Sequence, residues 1–320
     1  MKVTEHINQA DKTLFSFEIL PPKKGQKIDG VFETVEALLP YRPAFIDVTS
    51  HATDVIYKEA GEGLLKRVPV RKRPGTISVC AAVKFKYQID TVPHLICSGF
   101  SKEETEDGLL DLSFLGIENV MALRGDPSHG DRRFVPQPDG NRTSLELVEQ
   151  VMGLNQGRFL HSEELDPNPT DFCIGVAGYP EKHMDAPNEK ADLSWLKRKI
   201  DAGAEFIVTQ MFFNNQAFFR FVDRCREEGI KVPIIPGLKP VTTLKQLSIL
   251  PNTFRIDLPD ALVEAIQTAG SSEAVKRVGI EWTIEQSREL MAKGVPVLHY
   301  YTMSKSSGIR QIAEAIFGSR

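Results

Sequence analysis

Only four cysteines, Cys80, Cys97, Cys173 and Cys225, occur in the 320 residues, and no two form a C-x-x-C pair. Scattered in this way they suggest neither a zinc site nor a disulfide framework, and read as buried thiols in a reducing cytosol. No apolar run approaches the length needed to cross a bilayer. The opening stretch MKVTEHINQADKTLF is polar and lacks the hydrophobic core of a secretory signal, so a cytoplasmic protein is expected. A dominant charge is also lacking. Lys and Arg number 39 against 43 Asp and Glu, a formal net charge of −4, which provides no basic field to hold nucleic acid. No G-x-G-x-x-G or Walker A loop follows an apolar run, and no low-complexity tract or repeat divides the chain. No grouping of His, Cys or carboxylates has metal-ligand spacing, so no metal is expected.

What is present is a regular alternation. Short apolar runs rich in β-branched or aromatic residues read as strands covered on both faces: Leu14–Ile19, Phe45–Thr49, Thr91–Leu95, Val120–Leu123, Phe172–Ala177, Phe206–Gln210, Ile234–Pro236 and Val297–Tyr300. Helical spacing of apolar residues predicts helices over Val31–Leu39 and Leu145–Met152. Ser101–Phe114 opens on the capping-box pattern SKEE, and Leu193–Ala202 stops before Gly203. Extra helices are expected over Gly75–Lys86 and Pro259–Lys293, and a long polar loop over Asn155–Asp171. Eight strand–helix alternations imply an α/β fold, a single (β/α)8 TIM barrel with extra helices spanning residues 1–320 as one domain. A doubly wound open sheet is the structural alternative.

A TIM barrel carries its chemistry at the C-terminal ends of its strands, and polar residues collect at those points. Glu18 lies in strand one, and Asp47-Val-Thr49-Ser50-His51 closes strand two. His94 falls in strand three, Arg124-Gly125-Asp126 follows strand four, and Tyr179 and His183 follow strand five. Strand six ends in Thr209-Gln210 and strand eight in His299-Tyr300-Tyr301. Scattered at random, such groups would be buried unpaired at a cost, so their convergence points to an enzyme. Glu18, among Phe15, Phe17, Ile19 and Leu20, either caps a loop or carries a pKa raised by desolvation and serves as a general acid. Arg124-Gly125-Asp126 is either a sharp turn whose Arg pairs with a neighbouring carboxylate, or a forked phosphate donor beside a fixed charge. His94 and His183, each taken alone, read as structural histidines. The basic run Lys197-Arg198-Lys199 is a solvated face unless the strand-five loop brings it near a phosphate. Phe212, Phe213, Phe218, Phe219 and Phe221 read as core.

Eight motifs stand in order at these points: FSFEILPP, FIDVTSHA, PHLIC, NVMALRGDP, GVAGYPEKH, DLSWLKRKIDAGAEFIVTQMFF, VPIIPGLKPV and HYYTMSK. Together they resemble the methylenetetrahydrofolate reductase family from Phe15 to Ile312. The resemblance implies an oxidoreductase of one-carbon metabolism and methionine biosynthesis. Such an enzyme passes a hydride from NADH or NADPH through FAD to 5,10-methylenetetrahydrofolate, giving 5-methyltetrahydrofolate. It implies Glu18 as the general acid that assists opening of the folate ring, and Asp126 as a charge beside flavin and folate. Thr49, Ser50, His94, Arg124, Gly125, Asp126, Tyr179, His183, Asp192, Arg198 and Lys199 match the cofactor-binding set. Arg198 and Lys199 there offset pyrophosphate charge. Gln210, Gln246 and Lys305 match substrate contacts. Three positions depart from the pattern: Lys305 replaces a frequent Arg, Leu250 a stacking aromatic, and Trp195 a smaller polar group. The resemblance is to the short bacterial form, without a regulatory domain, and a homo-oligomer is expected. Two rival functions stay open: a flavin-free barrel enzyme acting on pterins, and a non-catalytic flavin- or folate-binding subunit of a redox complex.

Overall fold

A computed structural model describes every residue except 53, 62, 127–133, 162–165, 304 and 319–320. In chain order the elements are α1 (Val3–Gln9), β1 (Leu14–Ile19), α2 (Asp29–Glu36), β2 (Phe45–Val48), β3 (Asp54–Glu59), β4 (Leu65–Val70), α3 (Thr76–Tyr87), β5 (Asp90–Ile96), α4 (Lys102–Phe114), β6 (Asn119–Leu123) and α5 (Ser144–Asn155). They continue as β7 (Cys173–Gly178), α6 (Glu189–Asp201), β8 (Phe206–Thr209), α7 (Asn215–Glu227), β9 (Ile234–Ile235), β10 (Gly237–Leu238), α8 (Gln246–Phe254), α9 (Asp260–Gln267), α10 (Ser272–Ala292), β11 (Val297–Tyr301) and α11 (Ser306–Phe317).

The parallel strands run in the order β10-β11-β1-β2-β5-β6-β7-β8-β9. The two ends of that order are one interrupted strand. Pro236 has no N–H to donate, and the ladder changes sides there. Ile234 and Ile235 pair with β8, while Gly237 and Leu238 pair with β11. Counting the interrupted strand once gives eight staves, so the expected barrel is present and its seventh strand, expected as one run, is split at the proline.

Side-chain alternation sorts the layers. Phe15, Phe17 and Ile19 of β1 pack with Ile46, Val48, Val120, Ile174 and Ile207 and with helix residues such as Val31 and Leu109. Phe45, Val92, Met121, Cys173, Phe206 and Val297 form a separate cluster with Val3 of α1, which fills the N-terminal end of the barrel. Asn119 fastens that helix by accepting Val3 N–H at 2.8 Å. Every β1 residue from Phe15 to Ile19 is buried, as a strand covered on both faces requires.

Local signals account for most helix limits. Ser101 and Glu104 form the expected capping box. Asn188 accepts Ala191 N–H and starts α6 earlier than the apolar spacing indicates. Gly203, at φ 121°, ends it in a conformation that side chains disfavour. Two further features refine the expectation. Residues 259–293 form two helices, divided before the Ser271 cap. A two-stranded antiparallel hairpin, β3–β4, is inserted after β2. Between α5 and β7 the described residues form neither helix nor strand, as expected; residues 162–165 lie outside the description. All four cysteines are buried, and no helix among the described residues is long and apolar enough to cross a membrane.

Candidate active site

The strand register sets three functional groups side by side. Glu18 on β1 is level with Asp47 on β2 and with Tyr301 on β11. His94 on β5 completes the group: its Nε2 lies 3.2 Å from Asp47 Oδ2 and 3.8 Å from Glu18 Oε2. Glu18, Asp47 and His94 are 7%, 1% and 8% exposed, so solvent does little to screen their charges. Burial pushes the Glu18 carboxyl up to about 7, with Asp47 adding to the rise and His94 and Lys239 opposing it. Burial opposes protonation of His94, but the hydrogen bond it donates to Asp47 and the charges of Glu18 and Asp47 raise its proton affinity. A buried carboxyl that exchanges its proton near neutrality can act as an acid at working pH.

The backbone around Glu18 is pinned from β11. Thr302 Oγ1 donates to Glu18 O at 2.6 Å. Tyr301 donates its hydroxyl to Thr209 O at 2.7 Å, across the barrel mouth from β11 to β8. Gly237 makes this possible, because a Cβ there would lie 2.2 Å from Thr209 O and 2.6 Å from the Tyr301 hydroxyl. Below this level Ser16 Oγ lies 2.9 Å from His299 Nδ1. Thr49 is buried, with Oγ1 3.0 Å from His51 Nε2, and its carbonyl accepts Thr76 Oγ1–H. Ser50 and His94 share the wall of a cleft beside α3.

A second cluster lies after β6 and β7. Gly125, at φ 83°, makes the expected sharp turn. Arg124 pairs at 2.7 Å with Asp185 of the next loop, and its Nε is buried without a partner among the described residues. Tyr179 and His183 meet edge to face, 4.6 Å between ring centres. Asp192 accepts His183 N–H at 2.9 Å, fixing the loop on α6. Lys199 is buried, donates to Ala177 O at 3.1 Å, and is lowered to about 8 by burial, with Asp192 opposing the fall. Asp126 is exposed, and its backbone carbonyl accepts Ser98 Oγ–H.

The remaining candidates lie on neighbouring elements. Arg198 does not share the buried side of α6 with Lys199; it is exposed and stacks over Trp195, itself 44% exposed. Gln210 lies after β8, where its Oε1 accepts Met211 N–H at 2.9 Å. Gln246 turns its Oε1 back to Thr242 and Thr243 N–H groups, bracing the turn before α8. Leu250 is buried with Phe213, Val241 and Leu262 rather than on an open wall. Lys305 is exposed ahead of α11. Among the described residues no cluster could hold a metal ion. The sequence places Asp47 at a strand end without giving it a role, and does not single out Lys239. Asp47 could have been found from FIDVTS, since it lies two residues before Thr49 on the same strand face; Lys239 shows only once the split seventh strand is folded.

An α/β barrel with a protonatable carboxyl sunk at the C-terminal mouth defines a barrel of the enzyme type. Comparison with known proteins specifies it further. The chain belongs to the methylenetetrahydrofolate reductase family, whose profile matches residues 2–316. It is 33% identical over 317 residues to a probable methylenetetrahydrofolate reductase (NADH) of Oryza sativa subsp. japonica, covering 95% of this chain and 48% of the plant protein. It is 30% identical over 293 residues to the 5,10-methylenetetrahydrofolate reductase of Pectobacterium carotovorum subsp. carotovorum, covering 91% of this chain and 86% of that one. The chain thus spans about half the length of the plant relatives. Among solved structures, an uncharacterized Clostridium thermocellum protein that binds two copies of 5-methyl-5,6,7,8-tetrahydrofolic acid superposes with a TM-score of 0.56 at 14% identity, covering 98% and 96% of the two chains. At that identity the likeness concerns the fold alone.

Proposed function

We propose that this protein reduces 5,10-methylenetetrahydrofolate to 5-methyltetrahydrofolate, using NADH or NADPH and FAD, with Glu18 as the general acid. The observation that carries this reading is the buried Glu18 carboxyl, raised to about 7 beside His94 and Asp47 at the barrel mouth. Family membership supports the substrate class, and the burial of Glu18 supports its part as the acid.

The residues present fit FAD. Arg124 has a buried Nε without a partner among the described residues, Lys199 is a buried cation whose Nζ bonds to a carbonyl, and the edge-to-face Tyr179–His183 pair offers ring contacts beside them. Arg124, Gly125, Tyr179, His183 and Lys199 would hold the cofactor, with Thr49, Ser50 and His94 on the acid side. Bound there, FAD would supply hydride transfer in both directions. Glu18 holds its proton until a folate ring nitrogen needs it, and gives it up as the methylene bridge opens. His94, whose proton affinity Asp47 and Glu18 raise, opposes excess negative charge when Glu18 has lost its proton. Asp47 keeps the imidazole facing Glu18. Asp126, exposed at the rim, places negative charge beside the bound rings, and Gln210 offers an amide to either substrate.

The visible spectrum of the purified protein tests the reading. Flavin absorbance that bleaches with anaerobic NADH and returns with methylenetetrahydrofolate is expected. A colourless protein that takes up no added FAD would overturn it.

A further inference from the structure

Two basic stretches, residues 23–27 and 71–73, are remote in sequence and adjacent in the fold. Lys24 N–H donates to Lys72 O at 2.9 Å, and Arg73 Nη1 donates to Pro21 O at 2.5 Å. The second stretch leaves β4 of the inserted hairpin and leads into α3. Arg71 and Arg73 line a cleft together with Ser50, Thr76, His94 and Phe100. His94 belongs to the acid cluster, so the cleft and that site share a wall.

The arginines are held in place without being neutralised. Arg71 lies over the Phe100 ring, 4.2 Å from its centre, and donates to Gly99 O at 3.2 Å. Its Nε is shielded from solvent and has no partner among the described residues. Both guanidiniums bond to backbone carbonyls, and neither is ion-paired with a carboxylate among the described residues. The one carboxylate on the cleft wall, Glu104, is engaged in capping α4 through Ser101 N–H. The N-terminus of α3 adds positive potential; its cap residue, Gly75, supplies no side-chain hydrogen bond to the first amides. The Arg124–Lys199 cluster differs, because Asp126, Asp185 and Asp192 surround its two cations.

Two forked donors, hydroxyls and a helix N-terminus around one cleft match a phosphate oxygen set. We propose that Arg71 and Arg73 form an anion subsite for a phosphate group of a dinucleotide lying across the barrel mouth. The proposal rests on the reductase reading, in which a flavin and a nicotinamide dinucleotide both use that mouth. It assigns a binding role to a hairpin insertion that no motif of the sequence singled out.

Calorimetric titration with inorganic pyrophosphate tests it, on the full chain with FAD bound and after FAD is stripped. Wild type should bind pyrophosphate in at least one form. Arg71→Gln combined with Arg73→Gln should weaken that binding at least tenfold, with flavin absorbance and thermal unfolding recorded as controls. Should that variant fail to fold, Arg71→Lys with Arg73→Lys keeps the charge without the fork, and an intermediate loss is expected. Displacement of pyrophosphate by NAD+ from the FAD-bound form assigns the subsite to the nicotinamide nucleotide. Binding only to the stripped form, with displacement by FAD, assigns it to the flavin. No binding in either form, or undiminished binding in the folded variants, overturns the proposal. Displacement by folate alone also overturns it. A protein that takes up no flavin yet binds pyrophosphate through these arginines would remove the reductase reading and leave the anion site standing.

Discussion

Asp47 Oδ2 and Glu18 Oε2 both face the same nitrogen of His94, at 3.2 and 3.8 Å. One imidazole therefore faces two buried carboxyl groups that the strand register sets side by side. The shorter contact is the hydrogen bond, and it holds the ring where a charge on it favours the Glu18 anion and so opposes the rise that burial imposes.

Asp47→Asn should lower the proton affinity of His94, because the side-chain bond that Asp47 accepts is the first of the causes that raise it. A folded-state pKa above the usual histidine value stabilises the protein below that value, and the effect is lost as pH rises through the raised one. The variant should therefore lose more stability at pH 6 than at pH 9, by roughly 1.5–3 kcal/mol, the range for a hydrogen bond to a charged group. Urea unfolding at the two pH values measures this. Equal losses at both would show that the contact is not charge-dependent.

Glu18 has a pH dependence of the same sign, set by burial rather than by a hydrogen bond. Burial raises its folded carboxyl from the usual 4.5 to about 7, so stability is full below about 4.5 and declines as pH rises to about 7. Glu18→Gln should be near neutral in stability at pH 4.5 and stabilising at pH 8, by roughly 3 kcal/mol for that shift. Denaturation curves at both values check the sign. A variant less stable than wild type at pH 8 would mean that the native anion is well solvated.

Lys199 and Arg198 are neighbours in sequence but differ in burial. Lys199→Ala should weaken FAD binding at least about tenfold, the factor that about 1.4 kcal/mol represents. Arg198→Ala should change it little, since that side chain is exposed over Trp195. Flavin fluorescence titration separates the two; equal losses would contradict the burial difference.

This pair shows where sequence reading stops. The strands, the raised carboxyl of Glu18, the turn at Gly125 and the capping box at Ser101 were legible because each depends on alternation, apolar neighbours or a local hydrogen bond. Which face of α6 points inward depends on packing between α6 and the barrel, and a run of three basic residues carries no such signal. The Arg124–Asp185 pair joins two loops 61 positions apart, so only the fold could supply that carboxylate. The β3–β4 hairpin alternates too weakly to stand out: its strands carry VIYKE and LKRVPV, with polar residues in both. Pro236 splits the seventh strand because the lost N–H matters only where two neighbours compete for the ladder.

Gln210→Ala should leave FAD bound and weaken the reaction with nicotinamide and with folate alike, by roughly 1–3 kcal/mol for a buried hydrogen-bonding group. Part of that loss will come from Met211 N–H, which the Gln210 side chain accepts. Separate half-reaction kinetics with NADH and with methylenetetrahydrofolate measure it. Unchanged affinity for both would remove Gln210 from the site.

The most direct test of the account compares the two half-reactions in Glu18→Gln. That change keeps the shape of the side chain and removes the transferable proton. Reduction of flavin by NADH involves no proton from Glu18, and it should proceed at close to the wild-type rate in anaerobic stopped-flow. Reoxidation by methylenetetrahydrofolate should fall by at least about a hundredfold, the lower range for a lost general acid. In the wild type the same half-reaction should slow as pH rises through about 7, where Glu18 gives up its proton. A variant that reoxidises at the wild-type rate would contradict the account, and the proton would then come from another group.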